Sequence, residues 1–144
     1  YKVRRIKKEF EVFKLDNSLE NDSFFMQEIK NFQIRLMNVQ EFFWIVLIPI
    51  KPNLIELSDL EVDERNELLN FAIDLGNYIK SDQDFDKVNI GMLGNVVAQL
   101  HLHIVLRNKD DPAWPGPVWG WKSTSNLDEE TKQIRSKLIV QYLK

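Results

Sequence analysis

Two histidines, His101 and His103, stand in the stretch Gln99-Leu100-His101-Leu102-His103-Ile104-Val105, and the chain has no others. In a strand, successive side chains point to opposite faces, so Gln99, His101 and His103 are expected to share one face, with Leu100, Leu102 and Ile104 behind them. A neutral imidazole is a nucleophile, and its protonation shifts near neutral pH. Two such rings on one strand face lie roughly 6.5–7 Å apart along the chain, a spacing that lets both reach one phosphate. The same spacing suits two ligands of one metal ion. Only carboxylates remain to complete such a site, because there is no cysteine and no third histidine. A structural role for both rings also stays open at this point. Just upstream, Gly94-Asn95 offers a permissive backbone where a phosphate can approach main-chain N–H groups. It lacks the spacing and the Gly-Lys-Ser/Thr of a P-loop, and no Gly-x-Ser-x-Gly elbow is present. Among these chemistries, attack by histidine on phosphorus is the best supported. Neither a metal site nor a cofactor is expected; a divalent cation would enter only with the substrate.

Composition narrows the setting. The 144 residues suit one domain, and an apolar share of 44% is enough for an ordinary core. The absence of cysteine excludes disulfides, iron–sulfur clusters, thiolate zinc sites and a cysteine nucleophile. A formal net charge of −3 gives no overall attraction to nucleic acid, so no specific nucleic-acid partner is expected. Lys2, Arg4, Arg5, Lys7 and Lys8 make a basic start that reads as a solvated edge or arm. The longest apolar run, Phe42 to Ile48, is far too short to span a bilayer, and no signal-peptide pattern is visible. A cytoplasmic protein without membrane contact is expected. The first residue is Tyr1 rather than Met, which leaves a preceding segment open.

The elements that must position the histidines follow from periodicity. Asp16-Asn17-Ser18 is a turn-forming cluster. Phe32, Ile34 and Leu36 alternate with Gln33, Arg35 and Met37, predicting a half-buried strand closed by Asn38. Phe42 to Ile48 predicts a central strand stopped by Pro49 and Pro52. Leu60, Leu68, Leu69, Ala72, Ile73, Leu75 and Ile79 form a helical stripe over 59–80, with Ser58 and Glu61 at capping-box spacing. Residues 81–86 read as a polar loop, and Val88 to Leu93 as a strand. The histidine strand is expected over 97–107. A loop rich in proline and tryptophan occupies 108–126, read as a rigid cover or a substrate platform. A final helix over 128–143 should pack through Ile134, Leu138, Ile139 and Tyr142. Helices and adjacent antiparallel strands without alternating strand–helix units make an α+β class.

With these residues in view, the sequence resembles the histidine triad (HIT) superfamily, whose signature is His-φ-His-φ-His-φ-φ with φ hydrophobic. The run from Leu93 to His103, together with Asp110-Asp111-Pro112-Ala113-Trp114-Pro115-Gly116-Pro117-Val118-Trp119-Gly120, is similar to a bacterial branch described as diadenosine-tetraphosphate-hydrolase-like. The likeness reaches back to Phe13-Lys14-Leu15-Asp16, Leu36-Met37-Asn38 and Leu47-Ile48-Pro49. It implies a single domain over 1–144, with a core of about 10–121 and a C-terminal helical tail over 122–144. It further implies a mostly antiparallel sheet of about five strands with packed helices, a homodimer, and a nucleotide or dinucleoside polyphosphate as partner. By position, His101 corresponds to the nucleophile and His103 to the triad member that contacts phosphate. Asn38 corresponds to a ribose contact, and Asn89, Gly94 and Asn95 fall near the phosphates. Apolar residues between Phe24 and Leu36 would hold the base.

Gln99 departs from the signature, standing where the family has its first histidine. Glutamine carries no proton at neutral pH, yet it keeps hydrogen-bonding groups and a main-chain carbonyl. In relatives that carbonyl receives Nδ1–H of the nucleophile. The expectation is therefore a hydrolase or transferase of nucleoside phosphates acting through a nucleotidyl-histidine. The rivals are a nucleotide-binding module with little or no turnover and a dimeric interaction protein.

Overall fold

The computed structural model describes residues 11–122 and 125–144. The basic start, from Lys2 to Lys8, lies outside the described residues. Among the described residues, five strands form one antiparallel sheet: β1 (Ser23–Ile29), β2 (Phe32–Met37), β3 (Phe43–Pro49), β4 (Lys87–Gly91) and β5 (Leu102–Arg107). Their order is β1-β2-β3-β5-β4, so the chain's histidine strand is inserted between β3 and β4. Among the described residues, three α-helices accompany the sheet: α1 (Asn17–Asp22), α2 (Val62–Gln83) and α3 (Glu129–Leu143). This is the α+β arrangement expected from the sequence.

Period-two alternation sorts each inner strand between two cores. Ile34, Leu36, Phe43, Ile45, Leu47, Leu102, Ile104 and Leu106 join Leu68, Ala72, Leu75 and Ile79 of α2 and Leu138 and Ile139 of α3 in the main core. Ile45 and Ile104, directly paired across β3 and β5, are both fully buried. Each such side chain contributes roughly 1.5–3 kcal/mol relative to an exposed one. The opposite sheet face carries Val46, Ile48 and Val105, covered by Phe13, Leu15 and Leu19 on one side and by Phe42 and Val118 on the other. The candidate site lies on this second face.

Several local expectations give way to tertiary forces. Asp16-Asn17-Ser18 opens α1 rather than a free turn, with the Asp16 side chain accepting from Ser18 N. Helix α2 starts at Val62, not 59, and continues to Gln83. A 3-10 turn, Leu57–Asp59, precedes it, and its capping box uses Glu56 and Asp59 instead of Ser58 and Glu61. Between the two, Leu60 turns extended and sinks into the main core, 4% exposed. Ile73 and Ile134, expected in apolar stripes, are about half exposed. Arg35, expected on an outer face, is buried and donates to the hydroxyl and carbonyl oxygens of Ser23 at 2.7 and 3.1 Å.

Helix α3 is capped by Asp128, whose side chain accepts from Thr131 N. It is also tied to the sheet's end by Arg135, which donates to the carbonyls of Val39, Gln40 and Phe42 at 2.8–2.9 Å.

Candidate functional site

Strand β5 begins at Leu102, so Gln99, Leu100 and His101 lead into it without sheet pairing. Leu100 and Leu102 still bury into the main core, and that burial anchors the backbone on both sides of His101. The two imidazoles approach edge to face with centroids 4.7 Å apart, closer than the backbone spacing alone. They sit at the floor of a cleft of about 690 Å³ on the second sheet face, a volume ordinary for a small-molecule site. Residues 93–97 form one rim, where Gly94 takes a positive φ of 70°. Trp44, Trp119 and Trp121 supply aromatic wall, while Met37, Asn38 and Val39 line the end of β2. Among the described residues lining the cleft there is no lysine or arginine, and Asp22 is the one carboxylate.

The two histidines have unlike partners. His101 Nδ1 lies 2.6 Å from the Gln99 main-chain oxygen. A carbonyl can only accept, so Nδ1 carries a proton, and in the neutral ring Nε2 keeps its lone pair. His103 Nδ1 instead lies 2.9 Å from the Trp44 indole nitrogen. Both rings are largely buried, 8% and 6% exposed. Burial, and secondarily the neighbouring His101, press the His103 pKa down from 6.5 to about 3.

That shift has a sign that can be measured. Between pH 6.5 and 3 the unfolded chain binds a proton at His103 that the folded chain refuses, so acid favours unfolding. Stability from this group is complete above pH 6.5 and falls by about 1.4 kcal/mol per pH unit below it. Urea melts between pH 6.5 and 4.5 should show this slope, and His103→Asn should flatten it. An identical slope in both proteins would mean that the ring titrates freely.

Gln99 does not line the cleft. Its side-chain oxygen accepts from Asp16 N and its amide nitrogen donates to Lys14 O, both at 2.8 Å. The side chain thus clamps the segment that opens α1, whose last residues, Asn21 and Asp22, form part of the cleft wall. Asn38, Gly94 and Asn95 are brought together at the cleft with the histidines. Asn38 Oδ1 already accepts from Leu127 N at 2.8 Å, leaving its NH₂ as the group to offer a ligand. Asn89 stands apart from the cleft: its oxygen accepts from Arg107 Nη1 at 2.9 Å. No residue from Phe24 to Leu36 reaches the cleft either; Met37 and Val39 provide the apolar surface there.

Arg107 is 1% exposed and holds the tryptophan loop from beneath. It donates to both Asp111 oxygens at 2.6 and 3.0 Å and to Gly116 O at 2.8 Å. Burial alone would raise the Asp111 carboxyl, but Arg107 and the N–H groups of Ala113 and Trp114 together bring it below its ordinary value. The loop so held sets Trp119 edge-on to His103 (5.4 Å) and to Trp44 (6.2 Å). On β4, a Cβ at Gly91, the residue paired with His103, would lie 3.3 Å from the Trp119 ring, so glycine makes room for it. The sequence reading missed Trp44, the α1 residues Asn21 and Asp22, and the Arg107 network. For Trp44 a signal existed: it is the one side chain with a polar N–H in an otherwise aliphatic and phenyl run.

Comparison with known proteins agrees with this fold. The HIT domain family matches residues 18–110. A histidine triad protein from Sinorhizobium meliloti superposes with a TM-score of 0.85 at 33% identity, covering 90% of this chain and 96% of its own. One from Marinobacter aquaeolei gives 0.86 at 32% identity, covering 93% and 100%. One from Bradyrhizobium japonicum gives 0.86 at 27% identity, covering 91% and 98%. Among curated proteins, none matches. With its fold, its paired imidazoles at the start of β5 and these likenesses together, the chain belongs to the histidine triad family, carrying glutamine where the signature has its first histidine.

Proposed function

We propose that the protein is a nucleotide hydrolase or transferase working through a covalent nucleotidyl-histidine at His101. The observation that carries this reading is the 2.6 Å contact from His101 Nδ1 to the Gln99 carbonyl, which leaves Nε2 as a bare nucleophile at the cleft floor. In the first step the Nε2 lone pair forms a bond to the α-phosphorus of a nucleotide. The bond from phosphorus to the leaving group breaks with its electron pair, and solvent supplies a proton to that group where needed. The Gln99 carbonyl then faces the positive imidazolium, a role that needs no histidine at position 99. In the second step water attacks phosphorus, the P–N bond breaks, and His101 is regenerated. His103 and the main chain around Gly94-Asn95 would meet the non-bridging oxygens. Asn38 would bind the sugar through its NH₂ group.

Substrates of this reading are nucleoside phosphates, phosphoramidates and dinucleoside polyphosphates, the last in keeping with the diadenosine-tetraphosphate-hydrolase-like resemblance. The neutral donors of the described wall suit a single phosphoryl group. A polyphosphate chain would therefore bring a divalent cation with it. The same reading has the protein work as a homodimer in the cytoplasm. A turnover screen across the three substrate classes, with intact-mass analysis after an alkaline denaturing quench, tests it. A nucleotidyl adduct that disappears in His101→Ala is the expected result. Binding of AMP without any adduct or turnover would leave a nucleotide-binding module instead.

A further inference from the structure

We infer that Trp44 is a positioning residue of this site: its indole N–H, donated to His103 Nδ1, keeps the single proton of that ring on Nε2, turned toward the phosphoryl group. The inference rests on the nucleotide reading above for its purpose, but its chemistry stands on the contacts alone. An indole nitrogen is only a donor, so the 2.9 Å contact requires a lone pair on His103 Nδ1. A neutral imidazole with a bare Nδ1 carries its proton on Nε2. The ring stays neutral near pH 7, because burial disfavours its charged form.

The two histidines therefore hold opposite tautomers. His101 is protonated on Nδ1 by the demand of a carbonyl, and His103 on Nε2 by the demand of an indole. One ring presents a lone pair and the other a hydrogen-bond donor, though both are the same residue type 4.7 Å apart. The arrangement also explains why only one of them serves as nucleophile, since the His103 Nε2 lone pair is taken up by its proton. Trp44 is itself held in place. It packs edge-on against Trp119 at 6.2 Å, and Trp119 belongs to the loop pinned by Arg107. A Cβ on Gly91 would crowd that loop, and Gly91 lies beside His103 in the sheet. Trp44, Trp119 and His103 thus pack as a mutually touching triangle of rings, so the indole N–H has little freedom to turn away.

Because the chain has two histidines, ring-¹⁵N labelling gives a spectrum of two imidazoles. At neutral pH the wild-type protein should show one ring protonated on Nδ1 and one on Nε2. Replacing Trp44 with benzothienylalanine keeps the fused rings and exchanges N–H for sulfur. In that variant the His103 ring should become a mixture of tautomers while the His101 ring stays as it was. With a substrate from the screen, kcat should fall about twofold or more, in proportion to the share of rings that no longer hold the proton on Nε2, with a smaller change in KM. Trp44→Phe should reproduce the tautomer change, and urea melts of both variants separate it from loss of folding. Identical tautomers for both wild-type rings would overturn the inference. So would a benzothienylalanine variant whose His103 tautomer and kcat are unchanged. Opposite tautomers in a protein that turns over no nucleotide would overturn the functional reading and still support the hold of Trp44 on His103.

Discussion

His101→Ala is expected to abolish nucleotide turnover, by about 10⁴-fold or more, while AMP binding changes by no more than a few fold. Loss of a covalent nucleophile removes the chemical path itself, and the remaining groups supply only binding and charge stabilisation. The fold should tolerate the change. His101 precedes β5 and makes no sheet pairing, and Leu100 and Leu102 anchor the backbone around it. Binding should persist because the tryptophan wall, the Gly94-Asn95 rim and Asn38 are independent of the ring. His103→Ala should behave differently, lowering the rate by about 10²–10³, as for removal of one transition-state donor, with adduct formation on His101 slowed but still detectable. Full activity in His101→Ala would exclude the nucleotidyl-histidine route. Turnover that survives equally in both variants would place the chemistry elsewhere.

Arg107→Met should be the most damaging change outside the histidines, costing about 3–5 kcal/mol of folding stability. The guanidinium is 1% exposed and satisfies two Asp111 oxygens, Asn89 and the Gly116 carbonyl, with Phe42 and Trp114 rings within 6 Å. Methionine fills part of the space but leaves the Asp111 side chain, 8% exposed, without its cation and held only by the N–H groups of Ala113 and Trp114. The energetic penalty therefore comes less from the lost attraction than from that stranded charge. A paired variant, Arg107→Met with Asp111→Leu, should lose less than the sum of the single changes. Urea denaturation measures both; a loss below about 1 kcal/mol for Arg107→Met would show that the network is dispensable. Turnover in the surviving folded protein should also fall, because the same guanidinium holds the loop that carries Trp119 to His103.

The strands were the most legible part of the sequence. Burial on a sheet face repeats every second residue, and Phe32-Ile34-Leu36 and Leu100-Leu102-Ile104 carry that repeat in the chain itself. Helix α2 was legible in its body and not at its start. Ser58 and Glu61 have the spacing of a cap, but Leu60 gains more from the core than a helical turn gains from those side chains. The C-terminal helix was legible as a packing element through Leu138 and Ile139, which lie in the main core, but not in Arg135, which satisfies three carbonyls of the β2–β3 connection. Asn89 illustrates the opposite case. The resemblance to the family placed it near the phosphates, and its side-chain oxygen is taken by Arg107, 18 residues away.

The two histidines mark the boundary between local and tertiary information. The contact that sets the His101 tautomer spans two residues, from Nδ1 to the Gln99 carbonyl, so the chain's own direction through 99–101 is enough to set it. The strands that frame the site were legible in the sequence, and the resemblance to the family implied which ring would keep a free Nε2. The contact that sets His103 spans 59 residues, because β3 carries Trp44 and the sheet order places β3 beside β5. The Gln99 side chain likewise answers to Lys14 and Asp16, more than 80 positions earlier. No spacing rule reaches that far. Hydrogen-bond partners at such distances are chosen by how the sheet is assembled, and only the folded chain decides them.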